Sequence, residues 1–289
     1  MNHELHGQRA FQYISLVTIA SVLIILVNAV FNLQIPFRVD FLIGFVGTLL
    51  VFCIWHAVIT KGLRRSILMF GVSYVIAFSA EALGVNFGWI FGHYHYTPVL
   101  GISLFGVPFL AALAWEPILY AAFCITDILA PATINGAKSW LARLPVNVWL
   151  AGIAALATTA WDMMIDPIAV NEGWWVWNNG GSYLPYLRQG VPIQNFLGWL
   201  GVSFIINLIY RLITDSVRTP RRSLKLTISS PLMLYAALYL TASGVSVTVL
   251  RRPEVALIGM LAMGPFLVIA LANGNLVHQG LVQLLAEGQ

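Results

Sequence analysis

The chain has 289 residues, of which 59% are hydrophobic and only 9% charged, with a formal net charge of +4. A soluble domain carries about 25% charged residues, so a water-soluble globular fold is excluded and an integral membrane protein is expected. No Gly-rich phosphate loop, soluble domain or basic nucleic-acid patch is present, and Cys53 and Cys124 fall inside separate apolar stretches as packing residues.

Apolar stretches near the ~20 residues that cross a bilayer recur along the whole chain. In order they cover about 11–30, 41–60, 66–88, 105–129, 147–169, 195–213, 228–250 and 255–273. The expected fold is therefore all-α: a polytopic helical bundle of about eight transmembrane helices, seven being possible, in a single membrane domain over 1–289. The break between the last two rests on Arg251, Arg252 and Pro253. The first stretch is long enough to span and no A-x-A site follows it, so it reads as a span and not a secretory signal.

Basic residues mark the connections. Lys61, Arg64 and Arg65 follow the second span, Lys138 and Arg143 the fourth, and Arg218, Arg221, Arg222 and Lys225 the sixth. The positive-inside rule places these loops and the N-terminus in the cytoplasm of a multi-pass cell-membrane protein. Arg251 and Arg252 then fall outside, an imperfect fit to the rule.

Acids inside the spans are the exceptional feature. Glu81 lies towards the outer end of span three, Glu116 near the middle of span four, and Asp162 and Asp166 in the outer part of span five, with Pro167 expected to limit that helix. These four are expected at similar depth, whereas Asp127, near the inner end of span four, reads as interfacial. A central aspartate costs roughly 2.5–3.5 kcal/mol on insertion scales, so acids kept there point to a use. Asp162 and Asp166 are one turn apart and share a helix face. Two carboxyls that close in a low-dielectric site do not both ionise readily, which leaves a neutral acid beside a carboxylate, an arrangement able to deliver a proton. The competing reading is structural: each acid hydrogen-bonds Thr158, Thr159 or a Trp N–H and fixes packing.

Two loops face the same side, 88–108 (GWIFGHYHYTPVLGISLFGVP) and 171–195 (NEGWWVWNNGGSYLPYLRQGVPIQN). Trp89, Tyr94, Tyr96, Trp174, Trp175, Trp177, Tyr183 and Tyr186 are more aromatics than interfacial anchoring of two loops requires. They are expected to fold over the acids as an aromatic cap, whose ring faces stabilise a cation in a dry pocket. Gly84, Gly88 and Gly92 repeat every four residues and suggest close helix approach.

Inventory trims other classes. A retinal photoreceptor needs a lysine within a helix, but Lys61, Lys138 and Lys225 lie in loops. Membrane di-iron oxygenases need clustered histidines, and here only His93 and His95 are close, with His56 alone in span two, so no metal is expected. A membrane prenyltransferase needs paired Asp-rich motifs, and WDMMIDP has no second.

Four ordered motifs carry a resemblance: EALGVNFGWIFGHYHYTPVLGISLFGVPFLAALAW (81–115), WDMMIDP (161–167), GWWVWNNGGSY (173–183) and GVPIQNFLGW (190–199). Together they resemble the membrane-embedded carotenoid biosynthesis family, whose known members are carotenoid hydratases, over a core of about 40–215. The spans over 228–273 look generic. The resemblance implies addition of water to the terminal C1=C2 double bond of a ψ-end group, of the lycopene or γ-carotene type, giving a tertiary hydroxyl. Protonation at the less substituted carbon precedes capture of the tertiary cation by water, so the site needs a neutral acid, a positioned water and groups that stabilise the cation, without metal or redox cofactor. On that reading Asp162 or Asp166 is the general acid and the other orients water as base, with Glu81 a supporting carboxylate. Tyr94, Tyr96, Trp115, Glu116, Trp174 and Trp199 contact the polyene end or the cation, and Asn195 holds water through its amide. The expected partners are a carotenoid within the bilayer, membrane lipid and other carotenoid biosynthesis enzymes, with no nucleic acid.

Two alternatives stand beside it. A proton-coupled transporter or non-catalytic carotenoid-binding protein also uses intramembrane acids, but a transporter should show inverted repeats with broken helices in both halves. The acids concentrate in spans three to five with nothing equivalent in spans six to eight, which favours the enzyme. Isomerisation of the end group through the same cation is the other alternative, with proton loss replacing water capture.

Overall fold

The computed structural model describes residues 39–129, 140–178, 190–214 and 224–287, with side chains over 43–128, 142–178, 190–213 and 231–272. The expected span over 11–30, the side on which the N-terminus lies, Tyr183, Tyr186 and the basic residues Lys138, Arg218, Arg221, Arg222 and the Lys225 side chain fall outside the described residues.

The protein is an all-α, multi-pass membrane bundle. In lipid every backbone N–H and C=O must be satisfied within the protein, which leaves helices as the spanning element for such apolar runs. Among the described residues they are α1 (Val39–Lys61), α2 (Leu63–Phe87), α3 (Phe109–Leu129), α4 (Trp140–Asn171), α5 (Ile193–Thr214), α6 (Leu224–Thr248) and α7 (Pro253–Glu287). Seven segments within them are long and apolar enough to cross a membrane. The break expected at Arg251–Pro253 is where α6 gives way to α7. α3 is the axis of the bundle, with Ile118 through Phe123 almost wholly buried, and α1, α2, α4 and α6 pack around it.

Two expectations are corrected. Pro167 does not limit its helix, because α4 continues through it to Asn171; neighbouring groups in a bundle can satisfy the carbonyl that such a proline leaves open. The glycine repeat does not join two helices. Gly88 caps α2 in the left-handed conformation at φ 68°, and at Gly84 a Cβ would stand 2.8 Å from the Tyr94 ring. The missing side chain admits the protein's own loop against α2.

Short strands give that loop its form. β1 (Tyr94–Tyr96) and, further along, β4 (Trp175–Trp177) pair antiparallel, with Tyr94 opposite Trp177, His95 opposite Val176 and Tyr96 opposite Trp175. Between them β2 (Ser103–Leu104) and β3 (Val107–Pro108) form a second small pair that leads into α3. The Trp177 Nε1–H donates to the Phe91 carbonyl at 3.0 Å, and the Thr97 N–H to the Trp174 carbonyl at 3.0 Å. Side chains alternate across a strand, so in Y-H-Y paired with W-V-W the four outer aromatics share one face. They turn into the bundle, while His95 and Val176 are exposed.

Candidate active site

Beneath this sheet lies a cavity of about 170 Å³. Its polar lining includes Glu81, Tyr94, Tyr96, Asp166, Asn195 and Thr241, and among the described residues no Lys, Arg or His contributes to the wall. The remainder is aromatic and aliphatic, including Phe91, Trp115, Trp161, Trp174, Trp175, Trp177 and Trp199.

Glu81 is 4% exposed and takes three donors. The Trp115 Nε1–H reaches its Oε1 at 2.9 Å, the Tyr96 hydroxyl its Oε2 at 2.8 Å, and the Tyr94 hydroxyl also donates to Oε2. An indole N–H can only donate. Burial, and then the charge on Glu81, hold both phenols well above the usual tyrosine value, so both keep their protons to give. Three donors converging on one carboxyl favour its charged form. Neutral side chains thus give this buried carboxyl the donors that water would otherwise supply.

The aspartates are arranged differently. Asp162 and Asp166 are both buried, and their carboxyls come within hydrogen-bonding reach of each other. Asn195, in the first turn of α5, clamps them: its Nδ2–H₂ donates to Asp162 Oδ2 at 3.0 Å and also to Asp166 Oδ2. Two carboxyls in contact require a shared proton. The pair is not equivalent with respect to the cavity. Asp166 lines it and Asp162 does not, and Asp162 Oδ1 is buried without a hydrogen-bond partner.

The aromatic lining is ordered by stacking. Trp115 and Trp199 lie face to face with centroids 3.5 Å apart and planes 3° from parallel. Trp161 meets Trp199 edge-on at 6.2 Å, Tyr94 packs on Trp177 at 5.7 Å and Tyr96 on Trp175 at 5.8 Å.

Of the expected site residues, Glu81, Asp166, Tyr94, Tyr96, Trp115, Trp174, Asn195 and Trp199 line this one cavity, with Asp162 directly behind Asp166. Glu116 does not join them. Its carboxyl meets Ser73 Oγ at 2.6 and 2.8 Å, and Ser73 lies eight residues before Glu81 on α2. At 1.5 Å per residue that is about 12 Å further along the helix, so the expectation of four acids at one depth is corrected to three. Asn195, expected to hold water through its amide, commits that amide to the aspartates. Thr158 and Thr159, the packing partners considered for the acids, bond the carbonyls of Ala154 and Ala155 in their own helix.

Sequence reasoning missed one wall. Leu238, Thr241, Ala242 and Val245 of α6 close the cavity, and Phe45, Val46 and Leu49 of α1 face it too. The span that carries the first four reads as generic in the sequence. The side chains are ordinary for any lipid-embedded helix, and no sequence signal separates the wall from a lipid-facing stripe.

Comparisons with known proteins bear on the same region. The family described as "Carotenoid biosynthesis protein" matches residues 39–265. Among curated proteins the chain is similar to a bisanhydrobacterioruberin hydratase of Haloarcula japonica, with 30% identity over 161 residues. That alignment covers 55% of this chain and 49% of the relative, so the chain spans about half the length of the protein it matches. No solved structure matches the chain.

Proposed function

Because the chain belongs to the carotenoid biosynthesis protein family, we propose that it hydrates the terminal C1=C2 double bond of a ψ-end group, giving a tertiary alcohol. The observation that carries this reading is the cavity itself: an aspartate backed by a second aspartate, and a separate glutamate, face one aromatic space whose described wall holds no Lys, Arg or His. The relative's name speaks of a hydratase, and hydration is a reaction such a space suits.

In this proposal Asp166 is the general acid, since it is the member of the pair that faces the cavity. Its proton and the π electrons of the alkene form the new C2–H bond, leaving C1 as a tertiary cation. Glu81 acts as a carboxylate and, with the ring faces of Trp115 and Trp199, stabilises the cation. A water oxygen then forms the C1–O bond, and the proton it sheds passes to the aspartate pair, restoring it. The net change is addition of H and OH, with no oxidant or reductant consumed. Asn195 keeps both carboxyls aligned. The polyene beyond the end group lies along the floor of Ala111, Ala114 and Ile118 on α3, between α1 and α6.

The test is expression of the full chain in bacteria that make lycopene or γ-carotene, followed by mass analysis of the pigments. Gain of the mass of one water per modified end, absent when Asp166 is replaced, is the expected result. An unchanged pigment profile with both substrates overturns the proposal, and a mass-neutral shift of the double bond would replace it with isomerisation.

A further inference from the structure

Hydration needs a water held where the cation forms, and the groups described so far are already committed. The amide of Asn195 serves the aspartates, and the Tyr94, Tyr96 and Trp115 donors serve Glu81. Thr241 adds a hydroxyl to the wall that is not committed. Thr241 is 8% exposed, lines the cavity, and its Oγ1 is buried without a hydrogen-bond partner.

That is unusual for a threonine within a helix, which ordinarily returns its hydroxyl to a carbonyl one turn back. Ser246 and Thr248 of the same helix do so, to Ala242 and Gly244; Ser243 also lacks a partner, but unlike Thr241 it does not line the cavity. A buried hydroxyl without a partner is costly, so its place in the cavity wall calls for a ligand atom. Depth agrees. The Tyr235 hydroxyl of α6 donates to the Ala157 carbonyl of α4 at 2.8 Å, which registers two helices that cross in the same direction. Six residues further on each helix, about 9 Å, stand Thr241 and Met163. Thr241 therefore sits at the level of the aspartate pair, on the neighbouring helix of the wall.

Resting on the hydratase reading, we infer that Thr241 is a positioning residue that holds the attacking water and then the tertiary hydroxyl it becomes. Its hydroxyl accepts a hydrogen from the water, leaving a lone pair aimed at C1. The Asp166 proton transfer does not involve it. Removing Thr241 therefore spares the cation and removes its capture; the cation then returns a proton from C2 to the aspartate pair.

Membranes carrying the full-length protein, supplied with lycopene and γ-carotene in D₂O, separate the two steps. Wild type yields alcohol. Thr241→Val, which keeps the shape and loses the hydroxyl, should lower alcohol formation about tenfold or more while recovered substrate still gains deuterium at C2. Thr241→Ser should restore the alcohol. Thr241→Val forming alcohol at the wild-type rate overturns the inference, and so does loss of alcohol and deuterium uptake together in protein of normal abundance. Where the valine variant fails to accumulate, Thr241→Ala is read by the same two signals. Absence of alcohol from wild type would instead overturn the parent proposal, and this inference with it.

Discussion

At the end of the bundle away from the sheet, Asp127 is held between Lys61 Nζ at 2.8 Å and Arg211 Nη1 at 3.1 Å. Arg211, fully buried, also donates to Thr126 Oγ1 at 2.6 Å, and both cations lie over the Phe123 ring. Under the sheet, Glu81, Asp162 and Asp166 have no cation in the cavity wall among the described residues and are answered by hydroxyls, an indole and an amide. Both regions hold acids within the bundle, but they neutralise them by different means. A fixed counter-ion makes charge permanent and ties three helices together. Neutral donors and a shared proton leave the charge of the site adjustable, since only a proton need move. The first arrangement suits a lock and the second suits acid chemistry.

Substitutions at the two ends should therefore separate activity from stability. Asp166→Asn removes the exchangeable proton while keeping shape and a hydrogen bond to its neighbours. Hydration should fall by about 10²–10⁴, the usual worth of a positioned acid, with normal protein levels in the membrane. Retention of half the wild-type rate would break the comparison. Asp127→Asn should do the reverse. Breaking a buried ion pair from one side costs about 3–5 kcal/mol, because Arg211 then keeps its charge without a counter-ion. The expected outcome is a clear fall in the detergent-solubilised unfolding temperature, with hydration per folded molecule near wild type in the cold. Loss of turnover without loss of stability would show that the opposite end also takes part in the chemistry.

A smaller effect sharpens the picture of Glu81. Tyr96→Phe removes one of its three donors and leaves the ring, so the carboxylate is less well solvated and the cation less well matched. One hydrogen bond to a charged group is worth roughly 1.5–3 kcal/mol, predicting about a tenfold to hundredfold fall in hydration. Deuterium uptake at C2 should fall in parallel, because cation formation is the step affected. A drop in alcohol alone would instead assign Tyr96 to water capture.

How much of this is legible in the sequence depends on the kind of residue. A charged side chain in an apolar run announces itself by its cost, so Glu81, Asp162 and Asp166 are found without a structure. The Y-H-Y and W-V-W alternation also marks a two-faced strand once paired, although pairing across some eighty residues is not written in either segment alone. Thr241 and its neighbours on α6 are different. Threonine, leucine and alanine are equally at home facing lipid or a cavity, so only the packing of α6 against α3 and α4 reveals that wall. Asn195 shows a third case, in which the residue is evident but its role depends on which acceptors its amide meets.

Glu116 is the case where cost alone misleads, and it gives the smallest expected effect. It is as buried as the active-site acids, at 2% exposure, yet Ser73 Oγ is its hydrogen-bond partner and also approaches the Met69 carbonyl at 2.8 Å. A serine hydroxyl has one proton. If it goes to the carbonyl, the short contact to Glu116 requires the proton to come from the carboxyl, which makes Glu116 a neutral structural acid linking α2 to α3. Glutamine preserves both size and a donor at that place. Glu116→Gln should accordingly leave hydration within about twofold and shift stability by no more than about 1 kcal/mol, the net worth of one neutral hydrogen bond. Glu116→Ala, which leaves Ser73 beside a void, should be clearly less stable at similar specific activity. A tenfold loss of hydration in the glutamine variant would mean that its proton is used, and that the acid chemistry reaches beyond the cavity wall.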